Sequence, residues 1–119
     1  MILHLFNPEN DLALADGGAN YCPPPAAAQI AHDLAALPLW FASPDDAVVL
    51  PHEIHHDYFR EMSSLFNLAK PYASALHDGI TSCVPWGWSN QIARRLRVMG
   101  FADILPDDGC IERMRELSN

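Results

Sequence analysis

Residues 7–11, Asn7-Pro8-Glu9-Asn10-Asp11, place two amides and two carboxylates side by side. Such groups can bind an amine, hydroxyls or a cation. They suit phosphate poorly, because Glu9 and Asp11 would repel it. Asp16 and Gly17-Gly18 follow, yet neither G-x-G-x-x-G nor a Walker pattern occurs anywhere in the chain. The same residues also serve as ordinary turn and capping chemistry, since Asn and Asp side chains bond nearby N–H groups.

A second cluster is Pro85-Trp86-Gly87-Trp88-Ser89-Asn90. Ser89 stands where an N-cap would, and the free N–H groups of a helix start can take an anion. Trp86 and Trp88 can stack on a flat ligand or a sugar. Equally, both indoles can pack into a core with their N–H groups satisfied. The candidate contact residues are therefore Asn7, Glu9, Asn10, Asp11, Trp86, Trp88 and Ser89.

His52-Glu53-Ile54-His55-His56 satisfies H-E-x-x-H literally. On a helix, His52 and His56 share a face, and with a carboxylate they could hold zinc. Pro51 puts His52 at a helix start, however, and no third ligand is evident, so no metal is expected. Arg94, Arg95 and Arg97 form the basic cluster, expected as a solvated helix face. Cys22, Cys83 and Cys110 are widely spaced and odd in number, which argues against a disulfide framework and fits a reducing compartment.

The elements that must position these groups follow from periodicity. Ile2 to Phe6 is a short apolar run that stops at the Asn7 cluster, as a buried strand ends in a loop. Pro23-Pro24-Pro25 leads into a helix with Ile30, Leu34 and Leu37 as its apolar stripe and Pro38 as its end. Leu39-Trp40-Phe41-Ala42 and Ala47-Val48-Val49-Leu50 are expected as the second and third strands. Ile54, Tyr58, Met62 and Leu65 mark the next helix. Residues 67 to 81 are expected mostly as loop, and Thr81 to Val84 as a fourth strand. Ile92, Leu96 and Met99 stripe a helix stopped by Gly100. Asp107 caps a last helix with Ile111, Met114 and Leu117.

Short apolar strands between helices predict an α/β domain: a small Rossmann-like, three-layer unit with a mostly parallel sheet of about four strands and helices on both faces. The two middle strands would be only about four residues apart, short for a parallel crossover, so one of them is expected to be irregular or antiparallel. In such a sheet, ligands sit outside the carboxyl ends of the strands, which is where the Asn7 loop would lie.

The chain has 119 residues, enough for a single domain spanning 1–119. A domain of this size buries roughly two-thirds of its unfolded surface. Half the residues are hydrophobic and 18% are charged, a globular composition. The formal charge of −8 disfavours nucleic acid and anionic membranes as partners. No signal-peptide pattern or membrane-spanning run is visible, so a soluble cytoplasmic protein is expected.

Leu5-Phe6-Asn7-Pro8-Glu9-Asn10-Asp11-Leu12-Ala13-Leu14-Ala15, the Pro-Pro-Ala-Ala helix start and Ala36-Leu37-Pro38-Leu39-Trp40-Phe41-Ala42 together resemble the start of a group of uncharacterised bacterial ATP-grasp-like proteins. Val84-Pro85-Trp86-Gly87-Trp88-Ser89 and Arg115-Glu116-Leu117-Ser118 resemble the later part of the same N-terminal region. The resemblance implies a pre-ATP-grasp domain at the start of a longer chain. Members of that superfamily typically join a carboxylate to an amine or similar nucleophile, using ATP and Mg²⁺ held by later domains. On this expectation the chain binds no cofactor itself and is not catalytic alone. It would contribute Asn7, Glu9, Asn10 and Asp11 to a pocket for a small polar substrate, with the ATP-grasp domains as partners. The alternatives are a stand-alone α/β binding module for a polar ligand or protein and, third, a zinc-dependent hydrolase using His52, Glu53 and His56.

Overall fold

The computed structural model describes residues 1–51 and 56–118. Four strands, β1 (Ile2–Leu5), β2 (Ala47–Val48), β3 (Lys70–Pro71) and β4 (Ser82–Pro85), form one sheet in the order β3-β2-β1-β4. Every pairing is parallel: Leu3 faces Ala47 on one side and Cys83 on the other, and Ala47 faces Lys70. The α-helices are α1 (Asn10–Asp16), α2 (Pro25–Asp33), α3 (His56–Phe66), α4 (Asn90–Val98) and α5 (Asp108–Ser118).

Alternation along the strands divides the core in two. Leu3, Leu5, Ala47, Val49 and Cys83 point to one face, where they pack with Ile92 and Leu96 of α4 and with Phe101. Val48 and Leu50 point the other way, against Leu39, Ala69 and Phe59 of α3. Successive side chains of a strand must face opposite sides, so both faces need cover. A third cluster of Leu14, Ala93 and Ile111 ties α1, α4 and α5 together behind the first. The β2-to-β3 connection uses the α3 face, while the return from β3 to β4 brings Leu76 and Ile80 to the α4 face. Crossovers of one hand that reverse direction along a sheet must change face in this way.

Helix α4 follows its sequence closely. The Ser89 hydroxyl accepts from the Ile92 N–H at 3.3 Å and caps the first turn. At the far end Gly100 has φ of +97°, a left-handed conformation that costs glycine little. The Phe101 N–H then reaches the Leu96 carbonyl at 3.1 Å and the Gly100 N–H reaches the Arg97 carbonyl at 2.9 Å. That is the paired Schellman closure, and Phe101 packs with Leu96 in the same core. Asp107 caps α5 as expected, its Oδ1 accepting from the Cys110 N–H at 2.6 Å.

Several expectations are corrected. Leu39 to Ala42 is not a strand: Leu37–Trp40 is a 3₁₀ turn with Pro38 and Leu39 buried beneath it. The short link between two strands therefore does not exist, and the whole segment from α1 to the 3₁₀ turn is the β1-to-β2 crossover. Residues 67 to 81 are not merely loop, since they hold β3 and a 3₁₀ helix over Ser74–Gly79. The stripe assigned to α2 is turned outward. Ile30, Leu34 and Leu37 are exposed, and α2 ends at Asp33, short of Pro38. In α3, Tyr58 and Leu65 are exposed while Ser63 is buried. Ile54 lies outside the described residues.

Candidate functional site

The loop after β1 and the loop after β4 leave the carboxyl edge side by side. In a doubly wound sheet that divide is the usual ligand crevice. Here protein fills it. Asn7 is only 2% exposed, and its Nδ2 donates to the Gly87 carbonyl at 2.8 Å. The Gly87 N–H donates back to Asn7 Oδ1 at 3.2 Å. The Asn10 amide closes the same spot; turned so that its nitrogen faces them, it donates to the Gly87 and Trp88 carbonyls at 3.0 and 3.1 Å. A Cβ at position 87 would collide with the Asn10 side chain, so glycine is required there for close approach.

The remaining residues of the second cluster separate. Ser89 is fully buried as the α4 cap. Asn90 bonds the Gly17 carbonyl at 2.9 Å and Glu112 at 3.1 Å, so contacts from α1 and α5 cover this helix start. Trp88 packs on the core beside α4. Trp86 instead stays 59% exposed. It stacks edge-on against Phe6 at 5.2 Å and lies 6.4 Å from Phe41. Asp11 is exposed in the first turn of α1.

The open space lies on the other side of β1. A crevice of about 240 Å³ is bounded by Leu5 and Phe6 at the end of β1, by Val49 and Pro51 beyond β2, and by Gln91 and Arg95 of α4. Helix α2 roofs it with Ala28, Ala31 and His32, followed by Ala35. These are helical neighbours at i, i+3, i+4 and i+7, so α2 presents a mostly alanine face. Small side chains there leave room where leucines would have closed it.

Glu9 lines this crevice and also a smaller hollow beside Pro8, Leu12 and Ile30. Its Oε2 is buried and has no hydrogen-bond partner among the described residues. Buried polar groups are nearly always bonded, so an orphan carboxylate oxygen on a residue that lines a crevice is informative. Arg95 lines the same crevice from α4. The residue as a whole is exposed, yet burial around the guanidinium pulls its pKa below the ordinary value, and the Glu9 carboxylate opposes that shift. A second hollow of about 390 Å³ adjoins the first across Val49, Pro51 and Arg95. Leu50, Tyr72, Met99 and His56 line it. His56 Nε2 lies 3.1 Å from the Pro51 carbonyl. A carbonyl only accepts, so Nε2 is the donor.

Of the first cluster, then, Glu9 lines the crevice, while Asn7 and Asn10 hold the neighbouring loops in place. Arg94, Arg95 and Arg97 are exposed, as the sequence reading expected, and the part of Arg95 and Gln91 in lining the crevice is what it did not anticipate. A signal existed: Gln91, Arg95 and Met99 share one row of α4, flanking the buried Ile92 and Leu96.

Glu9 opposes phosphate on the β1 side, and no glycine fingerprint accompanies it. Among the described residues no group of three or more His, Cys, Asp or Glu could hold a metal ion. His52 and Glu53 lie outside the described residues. The buried Cys83 thiol is pushed up to about 11 by burial, which leaves it a poor nucleophile. No described helix is long and apolar enough to cross a membrane. No family model, curated protein or solved structure matches the chain.

Proposed function

We propose that this chain is a ligand-contributing α/β domain, non-catalytic alone, that works with the ATP-grasp domains of a ligase-type enzyme. The observation that carries the binding role is the buried, unpartnered oxygen of Glu9, a residue that lines an open crevice at the carboxyl edge of a parallel sheet. The ligase context rests on the sequence resemblance, and the Rossmann-like α/β fold agrees with it. ATP and Mg²⁺ belong to the partner domains on this reading.

Exposed Trp40, Phe41 and Trp86 support a docking role at the same edge. They also favour a second reading, a stand-alone module that recognises a partner protein.

Two measurements test the proposal. The purified chain incubated with ATP and Mg²⁺ is expected to release no phosphate above background, and turnover would overturn the non-catalytic reading. The reading frame beyond Asn119 is expected to continue for a further domain or more. A stop codon there would favour the stand-alone module.

A further inference from the structure

The crevice is lined by one carboxylate and one guanidinium, with His32 beside them, and that pairing selects its ligand. Glu9 comes from the loop after β1 and Arg95 from α4, and both line the same space. Glu9 Oε2 makes no hydrogen bond to Arg95 or to any other described residue. An anion entering here would meet Glu9, and a cation would meet Arg95. A neutral ligand would displace water from both groups without bonding either charge, which is costly. A ligand carrying both an ammonium and a carboxylate satisfies each wall with a charge-assisted hydrogen bond.

Size points the same way. The volume of about 240 Å³ lies below the roughly 300–1,000 Å³ of pockets for drug-sized molecules. Past Arg95 the second hollow offers Val49, Leu50 and Met99 as an apolar wall. A side chain of several carbons can lie there while its charged head stays between Glu9 and Arg95.

We infer that the crevice binds a free amino acid with an apolar side chain, its ammonium on Glu9 and its carboxylate on Arg95. This deepens the proposed function and rests on reading the crevice as a ligand site.

Titration of the isotope-labelled chain with leucine, N-acetylleucine and leucinamide tests it by NMR. Leucine is expected to shift the Val49 and Gln91 amides saturably in the millimolar range. Each blocked derivative is expected to bind about tenfold more weakly or worse, the loss of one charged hydrogen bond. Glu9→Gln should weaken leucine and erase the penalty for N-acetylleucine. Arg95→Met should do the same for leucinamide. Dispersed spectra of both variants confirm that they fold.

Equal binding of all three compounds would overturn the inference. So would the absence of leucine shifts. If glucose or citrate then moved the same resonances, the crevice would remain a ligand site and only the ligand class would fall. If none of these probes moved them, the inference and the ligand-site reading would fall together.

Discussion

The Asn7 side chain and the Gly87 peptide bond each other twice, bridging the loops that follow β1 and β4. Asn7 Nδ2 donates to the Gly87 carbonyl at 2.8 Å, and the Gly87 N–H donates to Asn7 Oδ1 at 3.2 Å. These bonds fill the divide where an open α/β sheet usually takes its ligand, and the crevice is displaced toward β2. Asn7→Ala takes from the half-buried Gly87 N–H its acceptor and from the Gly87 carbonyl one of its donors. It is expected to cost about 1–3 kcal/mol in chemical denaturation, the usual penalty for unpaired buried groups. A change under half a kcal/mol would mean that water replaces the amide.

Asp46 predicts the acid limb of stability. Burial pushes its pKa up, but the hydrogen bond from His4 at 3.0 Å and the Ile2 N–H at 3.0 Å outweigh that and hold it below the ordinary 3.8. A carboxyl whose pKa is lower folded than unfolded stabilises the fold above the unfolded value. That stabilisation is lost as pH falls from about 3.8 through the folded pKa. Asp46→Asn is therefore expected to flatten the fall in Tm below that pH. An unchanged acid limb would place the titrating group elsewhere.

Core and surface apolar residues should separate by more than a factor of two. Leu3 and Leu96 are each 1% exposed, so truncation to Ala is expected to cost about 2–5 kcal/mol. Leu65 is 74% exposed, and Leu65→Ala should stay within about 0.5 kcal/mol. Urea unfolding of the three variants compares them directly.

The alanine face of α2 makes the crevice a matter of side-chain size. Ala31→Leu is expected to fill the space with the added carbons and bury them. Tm should hold or rise slightly, while leucine binding falls below detection. A variant that still bound leucine as tightly would move the ligand away from α2.

What was legible in the sequence was what local chemistry decides. The Ser89 cap, the Gly100 stop and the Ile92-Leu96 stripe of α4 all involve residues a few positions apart, and each appears as read. The apolar runs of β1, β2 and β4 were legible because they carry few polar residues, β2 being buried on both faces while β1 and β4 bury every second residue. The rest depends on distant partners. Lys70–Pro71 has no strand character of its own and becomes β3 because the Lys70 N–H finds the Asp46 carbonyl at 2.9 Å. Leu39 to Ala42 looks like a strand by composition, but Pro38 begins a tight turn there. Ile30 and Leu34 looked like an inner stripe because they are larger than the alanines that face inward. Glu9, which lines the crevice, was legible as a candidate contact residue from its position after the first strand. Arg95 was not, because a guanidinium beside an apolar stripe has the same sequence signature whether it faces water or a crevice.

The strand order carries a consequence for how the chain is made. Among the four strands β1 is translated first, yet it occupies the interior of the sheet, between β2 and β4. Leu3 meets no sheet partner until Ala47 exists and is not flanked on both sides until Cys83 follows. Every parallel pairing spans a long stretch of chain, so loop closure must precede any gain from the contacts. The apolar Ile2–Leu5 segment therefore stays without one of its two sheet neighbours until β4 has emerged from the ribosome. The sheet is thus closed around its inner strand by segments that all follow it in the chain.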